Sequence, residues 1–166
     1  MSNNYITAEV ITNWCSHNYY LGAPVNADEI APELDRVFTE RINADRYQAY
    51  ADYYLTGAIA FADFMLTYID EGEMYSVPRP RFIGAEYYLP SENTVPPVGT
   101  TLTEDDAWDY MDHIVSVDEC TKQMNDTIQY NIDRGYTGDL GFKIAKWDIL
   151  YSGRHADYPY VMTRID

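Results

Sequence analysis

The residue types best suited to catalysis or metal binding are few and widely spaced. Three histidines (His17, His113 and His155) and two cysteines (Cys15 and Cys120) are the obvious candidates. Cys15 and His17 stand two apart and offer two ligands. A structural zinc site needs four in a recognisable spacing, and no second pair follows. Asp112-His113 lies near Asp109 and Cys120, residue types that together can activate a thiol. Successive residues on a helix point about 100° apart, however, so Asp112 does not orient His113. Glu104-Asp-Asp106 has the charge to hold a divalent cation, and equally the charge expected where a helix begins. Gly135, Gly138 and Gly141 follow a helix instead of a strand, so they read as a turn and not as a phosphate loop. Neither a nucleophile elbow nor a calcium loop occurs. These residues predict no catalytic centre, no metal site and no cofactor.

The elements that would carry them can be read from punctuation and periodicity. A first helix is expected from Thr7 to Leu21, stopped by Gly22, with Ile6, Val10, Ile11 and Trp14 as its apolar stripe. A second starts at Asn26, in a capping-box-like Asn-Ala-Asp-Glu, or at Pro32, and buries Leu34, Val37, Phe38 and Ile42. A third is expected over residues 44–71, ended by Gly72. Residues 73–102 hold Pro78, Pro80, Pro90, Pro96 and Pro97, which forbid long helix. They read as a connecting segment with one short strand over Arg81–Leu89. Residues 103–134 contain no proline and predict one long acidic helix of about 45 Å, closed by Gly135. Residues 135–166 read as a β-hairpin, with strands around Leu140–Tyr151 and Tyr158–Ile165. The expected fold is α+β, a helix-rich single domain with a C-terminal β-hairpin.

With 166 residues, 46% of them hydrophobic, the chain can build the core of one domain. Its first residues lack a basic stretch followed by an apolar run, so the expected setting is the cytoplasm, with both thiols reduced. The most apolar stretch, Tyr53–Ile69, is short and interrupted by Gly57 and Asp63. It reads as a buried helix and not as a membrane span.

Charge is the strongest signal. Asp and Glu number 27 against 11 Lys and Arg, a net charge of −16 with His neutral. A molecule this negative is repelled by phosphate, which excludes direct binding to nucleic acid or to an anionic membrane. The excess is uneven: net −8 over residues 1–72, −1 over 73–102, −7 over 103–134 and 0 over 135–166. In the long predicted helix Asp105, Asp112, Glu119, Asp126 and Asp133 recur every seventh residue, which keeps them on one side with a drift of about 20° per step. Asp109 falls beside them. Tyr110, Ile114, Val117, Thr121, Met124, Ile128 and Ile132 fall opposite and would face the core. An ordinary exposed helix mixes signs, whereas only Lys122 and Arg134 oppose nine acids in this segment. Adaptation to high salt is another reading of an Asp-rich, Lys-poor composition.

In composition and charge layout the chain resembles the acidic DNA-mimic proteins that phages and mobile elements use against restriction or CRISPR enzymes. The residues that carry the resemblance are Asp105, Asp109, Asp112, Glu119, Asp126 and Asp133, supported by Asp28, Glu29, Glu33, Asp35 and Glu40. The resemblance implies a non-enzymatic inhibitor whose partner is a nucleic-acid-handling protein with a basic groove. The alternative is an acidic adaptor or viral assembly protein. It would act through its 17 tyrosines, and its neutral hairpin could mediate homo-oligomerisation.

Overall fold

The computed structural model describes residues 5–18, 20–41, 62, 64–70, 77–92, 94–136, 138–151 and 160–166. They form an α+β fold with a five-stranded antiparallel sheet. The strands are β1 (Arg81–Tyr88), β2 (Thr101–Leu102), β3 (Val115–Ser116), β4 (Lys143–Tyr151) and β5 (Tyr160–Arg164). Their spatial order is β2-β5-β4-β1-β3. The helices are α1 (Ala8–His17), α2 (Ala27–Arg41), α3 (Glu104–Met111) and α4 (Val117–Asp133), with a short π-helical turn at Leu66–Asp70.

The C-terminal hairpin is present: β4 pairs with β5 from Trp147↔Arg164 to Tyr151↔Tyr160. Its alternation of buried and half-buried residues makes the inner face plain, with Ala145, Trp147, Ile149 and Tyr151 inward. Both hairpin strands have neighbours, β1 against β4 and β2 against β5. The open hairpin edges expected for self-association are therefore largely occupied. The proline-rich stretch is more than a connection, since β1 lies inside the sheet and pairs with β4 along all eight residues from Arg81↔Leu150 to Tyr88↔Lys143.

Antiparallel partners share a face, so Phe82, Gly84 and Glu86 point the same way as Ile149, Trp147 and Ala145. This face holds the core. Phe82, Trp147, Ile149 and Met162 are buried there with Ile11, Trp14 and Cys15 of α1 and Ile30, Leu34 and Phe38 of α2. Each large apolar side chain buried this way contributes about 1.5–3 kcal/mol. α3 joins the same face through Ala107 and through Tyr110, whose ring lies 5.1 Å from that of Trp147.

Helix ends follow local chemistry. Thr7 caps α1 by accepting from the Val10 N–H at 3.2 Å. That helix ends at His17, earlier than the expected Leu21. Its C-cap is Asn18, whose side-chain amide donates to the Trp14 carbonyl at 2.9 Å. α2 starts at Ala27 and carries Pro32 inside it. Asn26 does not cap it through its side chain. Its amide donates to the Arg79 carbonyl at 2.6 Å and accepts from the Arg81 N–H at 3.1 Å. The start of α2 is thereby tied to the start of β1. The helix expected over 44–71 falls largely outside the described residues.

The expected single helix over 103–134 is corrected. It is two helices, separated by a turn at Asp112-His113 and by the edge strand β3. Three local features break it. Ile114 is buried beside Gly84 on the core face. Val115 and Ser116 pair with Ala85 and Gly84 of β1. The Ser116 hydroxyl accepts from the Glu119 N–H at 3.2 Å and so restarts helix. α4 then packs against β1, where Tyr87 meets Thr127 with 3.1 Å between hydroxyl oxygens. α4 ends as expected at Gly135, which has φ +92°. The Gly135 N–H bonds the Ile132 carbonyl and the Tyr136 N–H bonds that of Asn131, a Schellman closure.

Candidate functional site

The six acids singled out by spacing are all solvent-exposed: Asp105, Asp109 and Asp112 on or at the end of α3, and Glu119, Asp126 and Asp133 on α4. They do not form one row. A turn and β3 divide them into one trio on α3 and one on α4.

On α3, Asp105, Trp108, Asp109 and Asp112 stand at i, i+3, i+4 and i+7, a single helix face. All four are exposed, Trp108 to 48%. Glu104 and Asp106 flank them, so residues 104–112 carry five acids and no base. On α4, Glu119, Gln123, Asp126, Tyr130 and Asp133 form a similar exposed stripe. Here cations are close. Lys122 lies 3.8 Å from Asp126, and the Arg134 guanidinium sits 4.0 Å from the Tyr130 ring centroid. The Lys122–Asp126 pair is highly exposed, so it is worth about 0–1 kcal/mol. Among the described residues no cation from another element reaches any of the six.

The supporting acids fare differently. Asp28 and Glu29 are exposed. Glu33 and Glu40 both bind Arg36. Asp35 is only 2% exposed and accepts from the Ile6 N–H at 2.9 Å, so it is a structural residue and no part of a charged surface. Arg81 pairs with Asp148, an acid of its own chain. Of the residues expected to face the core, Ile114 is buried and Tyr110, Val117, Thr121, Met124 and Ile128 are half-buried. Ile132 is 52% exposed, with Tyr130 at 56% and Tyr136 at 60% beside it. The sheet does not cover the last turn of α4.

A cavity of about 350 Å³ opens beside β1 where β3 stops covering its edge. Its lining includes Glu86, Tyr88, Glu92, Tyr110, His113 and Cys120. The Tyr110 hydroxyl donates to Glu86 Oε1 at 2.7 Å. Glu86 Oε2 is buried and has no hydrogen-bond partner among the described residues. The Trp147 indole N–H lies near this carboxylate but outside hydrogen-bond geometry. Burial raises the Glu86 carboxyl above the usual range, opposed by Tyr110, His113, Trp147 and Arg164. Burial, with the hydrogen bond to Glu86, also raises the Tyr110 phenol. Cys120 is raised by burial and then by Glu86, so it stays a thiol and a poor nucleophile. His113 and Cys120 do share this cavity, while Asp112 is exposed and does not line it.

Glu86 was missed in the sequence although a signal was there. The alternation Phe82-x-Gly84-x-Glu86-x-Tyr88 sets a lone carboxylate on the apolar face of a strand. Among the described residues no group of three or more His, Cys, Asp or Glu could hold a metal ion, and no helix is long and apolar enough to cross a membrane. Both cysteines are free and buried. Comparison of the chain with protein families, with curated proteins and with solved structures gives no match.

Proposed function

We propose that this protein is a non-catalytic inhibitor that occupies the basic groove of a nucleic-acid-handling protein, with the outer face of α3 as its leading surface. One observation carries the reading: Asp105, Asp109 and Asp112 share an exposed helix face with Trp108, and among the described residues no cation pairs with them. Five acids over residues 104–112 amount to about one charge per 2.7 Å of axis, within a factor of two of duplex DNA at about 1.7 Å. The carboxylates would meet Lys and Arg side chains that otherwise hold phosphate, and Trp108 would supply an apolar anchor. Glu119, Asp126 and Asp133 form a second, weaker face, partly offset by Lys122. Such a protein belongs to the cytoplasm, where both thiols stay reduced.

The test is retention of proteins from a lysate on the immobilised chain, with elution by duplex DNA or by salt. Asp105, Asp109 and Asp112 changed together to Lys should abolish retention, while the same change at Glu119, Asp126 and Asp133 should weaken it. Retention indifferent to both triple variants, to DNA and to salt would refute the reading. A second reading, an acidic adaptor or assembly protein, is favoured by the exposed Tyr130, Ile132 and Tyr136 at the end of α4. It predicts association that survives high salt and is lost on replacing those three residues with Ser.

A further inference from the structure

We propose that the cavity beside Glu86 is a binding site for a small organic cation, an alkylammonium or guanidinium group on a compact carbon body. The proposal uses none of the six acids on α3 and α4 and stands apart from the inhibitor reading.

Four observations carry it. Two carboxylates, Glu86 and Glu92, line the cavity, and no Lys or Arg does. Among the described residues no cation lies within ion-pair distance of either, and Glu86 Oε2 has no hydrogen-bond partner. Glu92 makes one long contact, accepting from the Leu89 N–H at 3.4 Å. Three tyrosines, Tyr87, Tyr88 and Tyr110, also line it, and each hydroxyl is already engaged. That of Tyr87 meets Thr127, that of Tyr88 accepts from Arg164 at 3.3 Å, and that of Tyr110 donates to Glu86. Aromatic rings attract cations when desolvated, and the Tyr88 ring already has the Arg164 guanidinium 5.8 Å from its centroid. The volume of about 350 Å³ fits a small ligand and lies at the lower end of such sites. The net charge of −16 draws cations toward the molecule and repels anions.

Two neighbouring groups bear on this choice. Arg164 is not part of the lining, but its guanidinium lies over the Tyr88 ring, donates to the Pro96 carbonyl and opposes the rise of the Glu86 carboxyl. His113 is part of it, with its ring 5.8 Å from that of Tyr110, and can accept from a donor while neutral. A bare divalent metal is a poor match, because it asks for six or more oxygen ligands or several retained waters.

The experiment titrates the intact chain with tetramethylammonium, guanidinium and magnesium chlorides at constant ionic strength, read by amide chemical shifts of Tyr88, Val115, Cys120 and Gln123. Saturable shifts are expected for the two organic cations and not for magnesium. Glu86→Gln should weaken binding at least tenfold and Glu92→Gln at least threefold. Glu9→Gln removes the same charge from exposed α1, which does not line the cavity, and should leave the Kd within twofold. Absence of saturation, a stronger response to magnesium, or equal weakening by Glu9→Gln overturns the proposal. Should Glu86→Gln lose the native spectrum, Glu92→Gln decides: an unchanged Kd overturns the site.

Discussion

Gly84 is the residue at which the sheet has least room, and Gly84→Ala tests the packing directly. A Cβ at this position would run into Ile114 Cγ2, and would sit 2.8 Å from Ile149 Cδ1 and 3.1 Å from Leu21 Cδ1. The Ile149 and Leu21 atoms end flexible side chains and can turn away. Ile114 Cγ2 can leave only by rotation about χ1, which β-branching restricts, or by a shift of the backbone, which is held by the pairing of Val115 with Ala85. Overpacking of this kind costs about 1–3 kcal/mol. Replacing glycine within a strand returns about 0.5–1 kcal/mol. The expected net destabilisation is about 1–2 kcal/mol, a fall in Tm of roughly 2–8 °C for a chain of this size. Urea unfolding should show a lower midpoint at an unchanged slope. The same substitution in an Ile114→Ala background assigns the cause. That background alone should cost about 2–5 kcal/mol, and within it Gly84→Ala should become nearly neutral. An equal cost in both backgrounds would refute the clash with Ile114.

Three other outcomes follow from the same structure. Ser116→Ala removes the hydroxyl that restarts helix after β3 and should cost about 1 kcal/mol in urea unfolding, whereas Ser116→Asp should be close to neutral. Glu86 has its carboxyl raised by burial, so its contribution to stability is fully present below the ordinary carboxylate pKa and is lost as pH rises through its folded value. The stability of the native chain relative to Glu86→Gln should therefore decline as pH rises above about 4.5, and parallel pH profiles would contradict the desolvation argument. Burial pushes the Cys15 thiol up to about 12 and raises that of Cys120. Thiol reagents should thus titrate both cysteines quickly in urea and only slowly in the native state.

Much of the architecture was legible because it rests on short-range chemistry. Thr7, Gly135 and the period-2 pattern of Lys143–Tyr151 each act within a few residues, and each element appears where those signals put it. The break between α3 and α4 was harder to read. Every residue from Glu104 to Asp133 tolerates helix, and no proline or glycine interrupts them. What ends the first helix is tertiary: Ile114 is drawn under Gly84 and Val115 is captured by the edge of β1. A local signal was nonetheless present, since Ser116 with Glu119 three residues later has the spacing of a helix start. Overlooking it merged two acid trios into one. Asp35 shows the converse limit. Its position on a predicted helix gives no hint that it is buried on the Ile6 amide. The Glu86 cavity was illegible for a third reason, because its lining comes from separate stretches, Glu86 to Tyr88, Glu92, Thr94 and Val95, then Tyr110, His113 and Val115, and Cys120 with Gln123, brought together only by the fold.

The clasp made by Asn26 has a consequence for which positions can change. It touches main chain only, donating a hydrogen bond to one peptide carbonyl and accepting one from the peptide N–H two residues further on. The side chains of residues 79 and 81 are thus immaterial to the clasp, provided that residue 81 is not proline and keeps its N–H, whereas position 26 requires one donor and one acceptor on a single short side chain. An aspartate there would set an anion against a carbonyl oxygen, and a serine would be too short to span both. The junction between the helical layer and the first strand is consequently specified by one amide group, and the two arginines beside it are left to serve the surface.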